Sequence, residues 1–562
     1  MTRLHSDISS GRYLEHKPVD QLSIGEFLIR RLQDYGIRDV FGIPGDYVLS
    51  FYSMLEHSPI NLIGCCREDN AGFAADAYAR VNGMGAVCVT YCVGGLSVAN
   101  SIAGAYAEKS PVVLITGSPG MRERTNNPLL HHKVRDFRTQ LEVFEKLCVA
   151  ATEIVDPVTA FREIDRVLEA AARYKRPVYI EIPRDMVKVV PGVPYEFRRA
   201  EPTSDPDALA EAVAEATRFL NDCHKPVLLA GVEIHRFGLQ DEVLNLAEGS
   251  QIPIVGTILG KSAVRETHPL YVGLYEGAMG REEVTQFVEE SDCLLMLGAF
   301  LTDIDMGIYT ANLDVSKCIF ATSEELRIRH HHYHNVVLAD FIRALAAQQP
   351  RPPQRPVPPR ATGNGAKYAI RPQAQISITR LIARLNESLD ANTIVISDVG
   401  DALFAATELT THARTEFIGP AYYTSMGFAI PASLGTGVAR PDMRTVVLVG
   451  DGAFQMTSNE LSSIVRHSFD HIIIVLDNQG YGTERYLHPG EFNEIHPWRY
   501  SKITELFGGG TGYEVRTEGE FDEALTKAWA DNSGMSLIHV HLAVDDCSPA
   551  LMRLAEKLSK KV

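Results

Sequence analysis

The stretch Val449-Gly450-Asp451-Gly452-Ala453-Phe454 decides the fold, together with a second stretch further along, Val475-Leu476-Asp477-Asn478-Gln479-Gly480. An apolar run precedes the polar residues of each, Thr445 to Val449 and Ile472 to Leu476. We expect both runs to be buried strands of an open α/β sheet, in which ligands bind beyond the carboxyl ends of the strands. The polar residues of both stretches therefore fall where a ligand site is expected.

The side chains of these stretches suit a metal ion bound to a diphosphate. Asp451 and Asn478 offer hard oxygens, and the neighbouring glycines allow a ligand to approach the backbone closely. Mg²⁺ keeps few protein ligands and shares phosphate oxygens. A Gly-Asp-Gly sequence alone also occurs in plain turns, but with an Asn at the end of the next predicted strand the pair resembles the thiamine diphosphate motif.

The bulk composition excludes several classes of protein. A chain of 562 residues is long enough for about three domains. Its 45% hydrophobic and 22% charged residues are ordinary for a globular protein, and its net charge of −17 argues against nucleic acid or an anionic membrane as a partner.

The compartment follows from the cysteines and from the lack of long apolar runs. The nine cysteines form no CxxC pair, so we expect buried thiols in a reducing compartment. No apolar run is long enough to span a membrane, and no apolar core follows Arg3 and His5, so no signal peptide is visible. The expected location is the cytoplasm.

Helical and strand-like segments alternate along the chain, which predicts an α/β fold with doubly wound parallel sheets. Ser23 to Glu26 forms a capping box at the start of the first helix. Strands are predicted at Asp39 to Ile43, Leu62 to Cys65, Gly85 to Tyr91, Val112 to Thr116, Val178 to Ile182, Val227 to Val232, Ile252 to Val255, Cys293 to Leu297, Cys318 to Ala321 and Ile394 to Ser397.

The pattern divides the chain into three domains. We expect an N-terminal domain at 18–195, a central α/β domain at 203–347 that acts as scaffold, and a C-terminal domain at 367–562. The proline-rich residues 348–366 are the predicted linker. Ser548-Pro549 predicts the start of a terminal helix with Leu551, Leu554, Ala555 and Leu558 on one face, which either docks on the core or covers the site.

Polar side chains also follow predicted strands in the first domain. Asp46 follows the strand at Asp39, Glu68 follows the strand at Leu62, and His131-His132 lies in a loop after the strand at Val112. Taken singly, Glu68 could be a first-turn acid favoured by a helix dipole, and the histidine pair could be a surface feature.

As a set, these residues resemble the thiamine diphosphate-dependent 2-oxo acid decarboxylases, which act on pyruvate, indolepyruvate, phenylpyruvate or branched-chain acids. The matching segments are Phe41-Gly42-Ile43-Pro44-Gly45-Asp46, the Glu68 segment, the stretch from Ala103 to Val113, the histidine pair, the stretch from Gly450 to Thr457 and the stretch from Gly480 to Arg485. The resemblance implies three doubly wound domains of the thiamine diphosphate-binding fold. The first would bind the aminopyrimidine and the third the diphosphate and Mg²⁺.

The resemblance also implies roles for individual residues. Glu68 would promote the imino tautomer that generates the thiazolium ylid, and protons would reach the later enamine from Asp46, His131, His132 and Glu484. The metal ligands would be the side chains of Asp451 and Asn478 and the carbonyl of Gly480. The remaining cofactor contacts would come from Asp401, Thr424, Met426, Gly450, Gly452, Ala453 and Tyr481, with simple core packing as the alternative for Met426. Asp477 departs from the Asn that relatives usually have before the ligand Asn.

Substrate size is predicted from three further positions. Leu403 and Thr483 match positions that are bulkier in pyruvate-selective relatives, and Leu487 lies one turn beyond Glu484. Smaller walls accept larger side chains, so we expect a 2-oxo acid with a branched, long or aromatic side chain rather than pyruvate.

In the family, one cofactor bridges the first domain of one subunit and the third domain of its neighbour, which implies a homodimer or homotetramer. A carboligase of the acetolactate synthase type is the alternative function, and the histidine pair argues against it. A nicotinamide oxidoreductase would need a GxGxxG turn after an early strand, which the sequence lacks. A non-enzymatic family member would have lost acid–base residues that are present in this chain.

Overall fold

The computed structural model describes residues 17–197, 201–358, 368–413 and 415–558. Three β-sheets follow one another along the chain, with helices between their strands, and this confirms the expected α/β class. The chain divides into two compact units. Unit 1 comprises residues 1–200, 430–441 and 457–467, and unit 2 comprises residues 201–429, 442–456 and 468–562.

The first sheet lies in unit 1. Its strands are β1 (Asp39–Gly42), β2 (Asn61–Gly64), β3 (Gly85–Val89), β4 (Val112–Ser118), β5 (Ala150–Glu153) and β6 (Val178–Pro183). Its helices are α1 (Ile24–Asp34), α2 (Leu49–Glu56), α3 (Glu68–Asn82), α4 (Val93–Ser97), α5 (Ala99–Ala107), α6 (Thr139–Leu147) and α7 (Ala160–Tyr174). The strand order is β2-β1-β3-β4-β6-β5, and every pair is parallel.

Helix α1 shows how local sequence builds this unit. The predicted capping box is confirmed, because Ser23 accepts a hydrogen bond from the Glu26 N–H and Glu26 accepts one from the Ser23 N–H. The apolar face of the helix is buried, and Phe27 stacks on Phe161 of α7 with ring centroids 3.9 Å apart. Burying an aromatic side chain of this kind contributes about 1.5–3 kcal/mol.

The second sheet belongs to unit 2. Its strands are β7 (Pro226–Ala230), β8 (Ile254–Gly256), β9 (Tyr271–Leu274), β10 (Cys293–Leu297), β11 (Cys318–Ala321), β12 (Leu326–Ile328) and β13 (His331–Tyr333). Its helices are α8 (Pro206–Asp222), α9 (Val232–Arg236), α10 (Gln240–Ser250), α11 (Glu282–Glu289) and α12 (Leu338–Ala347). The order is β13-β12-β11-β10-β7-β8-β9.

One edge of this second sheet is not parallel. Strands β11, β12 and β13 pair antiparallel, whereas the other pairs of the sheet are parallel. Glu215 of α8 accepts hydrogen bonds from His331 and Tyr333 and so ties the edge strand to the helix that covers it. Because β12 and β13 are only three residues long, the sequence pattern gives no signal for them.

The third sheet also belongs to unit 2. Its strands are β14 (Thr393–Ser397), β15 (Glu416–Ile418), β16 (Arg444–Gly450), β17 (Ile472–Asp477), β18 (Thr511–Val515) and β19 (Ser536–His541). Helices of this part of the chain are α13 (Ile378–Asn386), α14 (Asp401–Ala406), α15 (Ala429–Ala439), α16 (Asp451–Thr457), α17 (Leu461–Arg466), α18 (Gly482–Leu487), α19 (Ile503–Phe507), α20 (Glu518–Ala530) and α21 (Pro549–Leu558). The order β15-β14-β16-β17-β19-β18 is parallel throughout and repeats the strand order of the first sheet.

The predicted terminal helix is confirmed as α21. Ser548 caps it, because the Ser548 Oγ accepts a hydrogen bond of 3.2 Å from the Leu551 N–H. Leu551 and Leu554 are buried, whereas the side chain of Leu558 lies outside the described residues.

The predicted linker has no helix or strand over residues 349–358, and its remaining residues, 359–366, lie outside the described part of the chain. The domain boundaries stay a prediction. Among the helices of the described residues, none is long and apolar enough to cross a membrane.

Candidate active site

The carboxyl ends of three strands meet at one edge of the third sheet. β16 lies between β14 and β17 and runs parallel to both. After β14 the chain continues to β15 on one side of it, and then to β16 on its other side. The strand order therefore reverses between β14 and β16, and open α/β sheets bind ligands at such a reversal. The segments that follow these three strands line one cavity of about 570 Å³.

Asp451 is the centre of a buried polar cluster in this cavity. Its side chain is 1% exposed. Oδ1 accepts a hydrogen bond of 2.8 Å from the Gly452 N–H, and Oδ2 accepts one of 3.0 Å from the Gly480 N–H. Asn478 and Gly480 line the same cavity, so the structure brings together the three residues that the sequence predicts as metal ligands.

Two glycines of this cluster are required by close contacts. Gly480 has φ +144°, and a Cβ there would lie 2.0 Å from the carbonyl oxygen of Asn493. A Cβ on Gly452 would lie 2.6 Å from the ring of Tyr481. The space beside Gly450 is open, since a Cβ there would meet no atom within 4 Å. The loop thus leaves room for a ligand against its backbone.

A second carboxylate lies beside Asp451. Burial, together with the negative charge of Asp477, raises the pKa of Asp451 to about 7. Burial acts to raise the pKa of Asp477, but the interactions with His539, the Gln479 N–H and His541 together outweigh it and hold that pKa below its usual value. The His539 Nε2 lies 2.7 Å from the Asp477 Oδ2. The sequence analysis identified Asp477 only as a departure and missed His539.

This donor set fits a divalent cation that carries a diphosphate. Asp451 is buried and, within the described part of the chain, forms no salt bridge with Lys, Arg or His, so a cation would compensate its charge. The carboxylate and amide oxygens and a free carbonyl are the ligand types that Mg²⁺ takes, and phosphate oxygens complete its coordination. The open backbone at Gly450 fits the diphosphate itself.

The rest of the cavity is mostly apolar. The three predicted pocket residues, Leu403, Thr483 and Leu487, all line it, and Glu484 lies on the same helix α18 as the last two. The apolar wall also includes Ile304 and Ile308 of the central region, which the sequence analysis took as scaffold. The central region is therefore more than scaffold. Leu551 and Leu554 of α21 line it as well, on the terminal helix that was expected either to dock on the core or to cover the site.

The remaining cofactor-contact predictions also lie in this cavity. Thr424, Met426, Ala453 and Tyr481 line it together with Asp401. Met426 is 41% exposed, which does not fit simple core packing.

Asp401 has a structural role as well. Its carboxylate accepts a hydrogen bond of 2.8 Å from the Ser548 N–H and a short one from the Ser548 hydroxyl. Burial raises the pKa of Asp401 to about 6, and Ser548 opposes the shift. Asp401 therefore anchors the first turn of α21, which carries two of the apolar wall residues.

Unit 1 holds a separate group of acid–base side chains. Asp46, after β1, accepts a hydrogen bond of 2.6 Å from the His131 Nε2. The Tyr47 ring stacks on His131 with centroids 4.8 Å apart and an interplanar angle of 19°, and the rings of His131 and His132 lie 4.8 Å apart edge to face. The Arg184 Nη1 lies 4.0 Å from Asp46. The structure thus joins the predicted Asp46, His131 and His132 into one cluster.

Glu68 is the first residue of α3 and lies beyond the carboxyl end of β2. Its Oε2 accepts a hydrogen bond of 3.2 Å from the Ser97 hydroxyl. Buried Glu460 anchors both sides of this position, because its Oε2 accepts hydrogen bonds from the Cys66 N–H (3.0 Å) and the Asn70 Nδ2 (2.8 Å). The sequence analysis missed Glu460, since almost four hundred residues separate it from Glu68 along the chain.

Three family models match the chain in order. The thiamine pyrophosphate enzyme N-terminal binding domain matches residues 22–141, the central domain of the same enzymes matches 213–348, and the C-terminal binding domain matches 398–540. These matches define the class of protein, an enzyme that binds thiamine diphosphate.

Curated relatives narrow the class. Over 95% of its length the chain is 35% identical to the indole-3-pyruvate decarboxylase of Azospirillum brasilense, of which it covers 98%. It is 31% identical to pyruvate decarboxylase 3 of Arabidopsis thaliana over 96% of this chain and 93% of the relative. It is 32% identical to an alpha-keto-acid decarboxylase of Mycobacterium avium over 92% of this chain and 94% of the relative. The chain belongs to the thiamine diphosphate-dependent 2-oxo acid decarboxylases.

Proposed function

We propose that this enzyme converts 2-oxo acids to an aldehyde and CO₂ without oxidation, and that it favours branched, long or aromatic side chains over pyruvate. The observation that carries the proposal is the cluster of Asp46, His131 and His132, because release of an aldehyde requires proton donors and acceptors within hydrogen-bond reach of one another. The alternative is a carboligase of the acetolactate synthase type, which joins two oxo acids.

Thiamine diphosphate, when bound, supplies the electron sink that a 2-oxo acid needs in order to lose CO₂. In the proposal, Asp451, Asn478 and the carbonyl of Gly480 hold the Mg²⁺, and the backbone at Gly450 accommodates the diphosphate. Support comes from the open space beside Gly450 and from the buried Asp451 carboxylate.

Glu68 would hold a proton on the aminopyrimidine side of the cofactor. The first-turn position places its half-buried carboxyl beyond a strand end, and Glu460 holds the Cys66 backbone N–H on one side and the Asn70 side chain on the other. The Ser97 hydroxyl orients one carboxylate oxygen, which leaves the other to act on a ring nitrogen. Such support would hold the Glu68 carboxyl in one position, which proton transfer to a particular ring nitrogen requires.

His131 would pass protons to and from Asp46, with the stacked Tyr47 ring holding the imidazole in place. Glu484 would act on the substrate carboxylate, since it lines the same cavity as Asp451, Asn478 and Gly480, the proposed metal ligands.

The proposed substrate preference rests on the cavity wall. Leu403, Thr483 and Leu487 bring no ring into the cavity, and Leu551 and Leu554 extend the apolar surface. Each methylene that an apolar pocket accommodates contributes only about 1–3 kcal/mol to discrimination. We therefore expect broad acceptance of large side chains with a graded preference.

We also propose a homodimer or homotetramer in the cytoplasm. In an isolated subunit, Leu129 is 98% exposed and Val134 is 64% exposed, close in sequence to the histidine pair. Exposed apolar side chains beside a site favour a subunit interface there. The nine cysteines are all unpaired, which favours a reducing compartment.

The decisive experiment measures aldehyde release from pyruvate, 2-oxoisovalerate, phenylpyruvate and indolepyruvate, with and without thiamine diphosphate and Mg²⁺. We expect aldehyde only with both, and a higher kcat/KM for the larger acids. Acetolactate in place of free aldehyde would favour the carboligase, and a clear preference for pyruvate would refute the proposed substrate class. Sedimentation at assay dilution tests the assembly, and a fully active monomer would contradict it.

A further inference from the structure

A buried acid–base pair lies behind the metal-binding end of β17. Asp477 is the last residue of β17, and His539 lies on the neighbouring strand β19, paired in register with Val475. Both side chains are buried, and the His539 Nε2 donates a hydrogen bond of 2.7 Å to the Asp477 Oδ2. The Tyr500 ring packs edge-on against the His539 ring at 4.9 Å.

Asp477 is directly connected to the proposed metal ligands. Asn478 follows Asp477 in the chain. The Asp477 Oδ1 accepts a hydrogen bond of 3.2 Å from the Gln479 N–H, and the Asp477 carbonyl accepts one of 2.9 Å from the Leu542 N–H. Its carboxylate also interacts with that of Asp451. Rotation of the Asp477 side chain would therefore disturb both the backbone turn and the metal-binding carboxylate.

Two neighbouring buried carboxylates beside a diphosphate need compensating positive charge. A single Mg²⁺ compensates Asp451 together with phosphate oxygens and leaves Asp477 without a cation of its own. Removing one partner of a buried ion pair leaves an uncompensated charge, which is far less favourable than replacing both partners by neutral groups. Among the described residues, two histidines approach the Asp477 Oδ2: the His539 Nε2 at 2.7 Å, which is nearly fully buried, and the His541 Nδ1 at 3.5 Å, which is 29% exposed and pairs with Glu514 through its Nε2. His539 is therefore the closer and more buried partner.

We propose that the hydrogen bond between His539 and Asp477 positions the metal-binding turn, and that His539 is a positioning residue required because residue 477 is acidic. The proposal rests on the proposed roles of Asp451, Asn478 and Gly480. Without His539, the Asp477 carboxylate would either repel the diphosphate or draw the metal ion away from Asn478. Both effects weaken cofactor binding. With Asn at position 477, the same histidine would be dispensable.

The test measures thiamine diphosphate binding calorimetrically at saturating Mg²⁺, with no substrate present. The full-length protein is compared with His539→Gln, Asp477→Asn and the double variant. We expect His539→Gln to bind at least about tenfold more weakly, and both Asp477→Asn and the double variant to bind within about threefold of wild type, since coupled residues are not additive. Thermal unfolding of each variant reports whether it is folded.

The matched control is His268→Gln, because His268 is another buried histidine that pairs with a carboxylate, that of Glu248 at 2.9 Å, in the central region. We expect this variant to bind the cofactor like wild type. If His539 acts only through packing against Tyr500, the double variant will bind as weakly as His539→Gln, and the proposal is overturned.

Wild-type binding by His539→Gln overturns the proposal as well. If His539→Gln does not fold, the double variant decides: a folded protein with wild-type binding supports the pair, and a binding defect or a failure to fold overturns it. A wild-type protein that binds no cofactor with Mg²⁺ would instead refute the proposed function, so the two failures are distinguishable.

Discussion

Glu276 is a buried carboxyl whose replacement should stabilise the protein. Its side chain is 3% exposed, and its Oε1 has no hydrogen-bond partner within the described part of the chain. Burial raises its pKa to about 8, the nearby charge of Glu408 adds to the shift, and Arg553 and Lys261 oppose it. We therefore consider Glu276→Gln, which keeps the shape of the side chain and removes its ability to ionise.

The expected gain in stability depends on pH. Because the pKa of Glu276 is raised in the folded state, the stability that this carboxyl contributes is complete below pH 4.5 and is lost as the pH rises towards about 8. At 1.36 kcal/mol for each pKa unit, the loss is on the order of 3 kcal/mol at pH 7 and about 1 kcal/mol at pH 5. Glu276→Gln removes this loss, so its advantage over wild type should grow with pH.

The assay is thermal unfolding of the cofactor-free protein at pH 5, 6, 7 and 8. A chain with several domains need not unfold in one step. We therefore compare the midpoint temperature of the affected transition between wild type and variant, and not a global free energy of unfolding. Glu282→Gln is the control, because Glu282 is an exposed glutamate close to Glu276 along the chain. A Glu276→Gln advantage that is equal at all four pH values, or that falls as the pH rises, would refute the reasoning.

Three further predictions concern the active site. Glu68→Ala should abolish turnover and leave calorimetric cofactor binding within about tenfold of wild type, since the proposed metal ligands lie elsewhere; loss of binding would contradict its proposed role. Gly480→Ala should abolish Mg²⁺-dependent cofactor binding because its Cβ would lie 2.0 Å from the Asn493 carbonyl oxygen, and wild-type binding would show that this contact relaxes. Ser548→Ala removes the cap of α21 and a hydrogen bond to Asp401, which together contribute about 2–4 kcal/mol. Amide exchange in residues 549–558 should therefore accelerate, and the KM for the substrate should rise. Ser548→Thr, which keeps the hydroxyl, should restore protection, and unchanged exchange in Ser548→Ala would contradict the anchoring role.

The α/β class and the edge of the sheet at which we propose the cofactor binds were predictable from local sequence. The apolar runs before Asp451 and Asn478 are β16 and β17, and parallel strands must present their carboxyl ends at the same edge. The same argument located Asp46 and Glu68 beyond the strands of the first sheet. Capping signals at Ser23 and Ser548 were readable because they act within one helical turn.

Other features could not be read from the sequence, because their signals are short or their partners are distant. Strands β12 and β13 have three residues each and no detectable period, so the antiparallel edge of the second sheet was not foreseen. The participation of Ile304 and Ile308 in the cavity wall was missed, since apolar residues of a central domain look like core.

The sequence by itself determined the class of fold, the cofactor and the reaction family, because strand ends, glycines and a few acid–base residues are local patterns that chemistry constrains tightly. Only the tertiary structure decided which side chains support those residues. Glu460 supports the helix start at Glu68, and His539 forms a hydrogen bond with Asp477 beside the proposed metal ligands. Such partners lie far apart along the chain. They are paired because buried polar groups must form hydrogen bonds, and only the folded structure shows which distant residues form them.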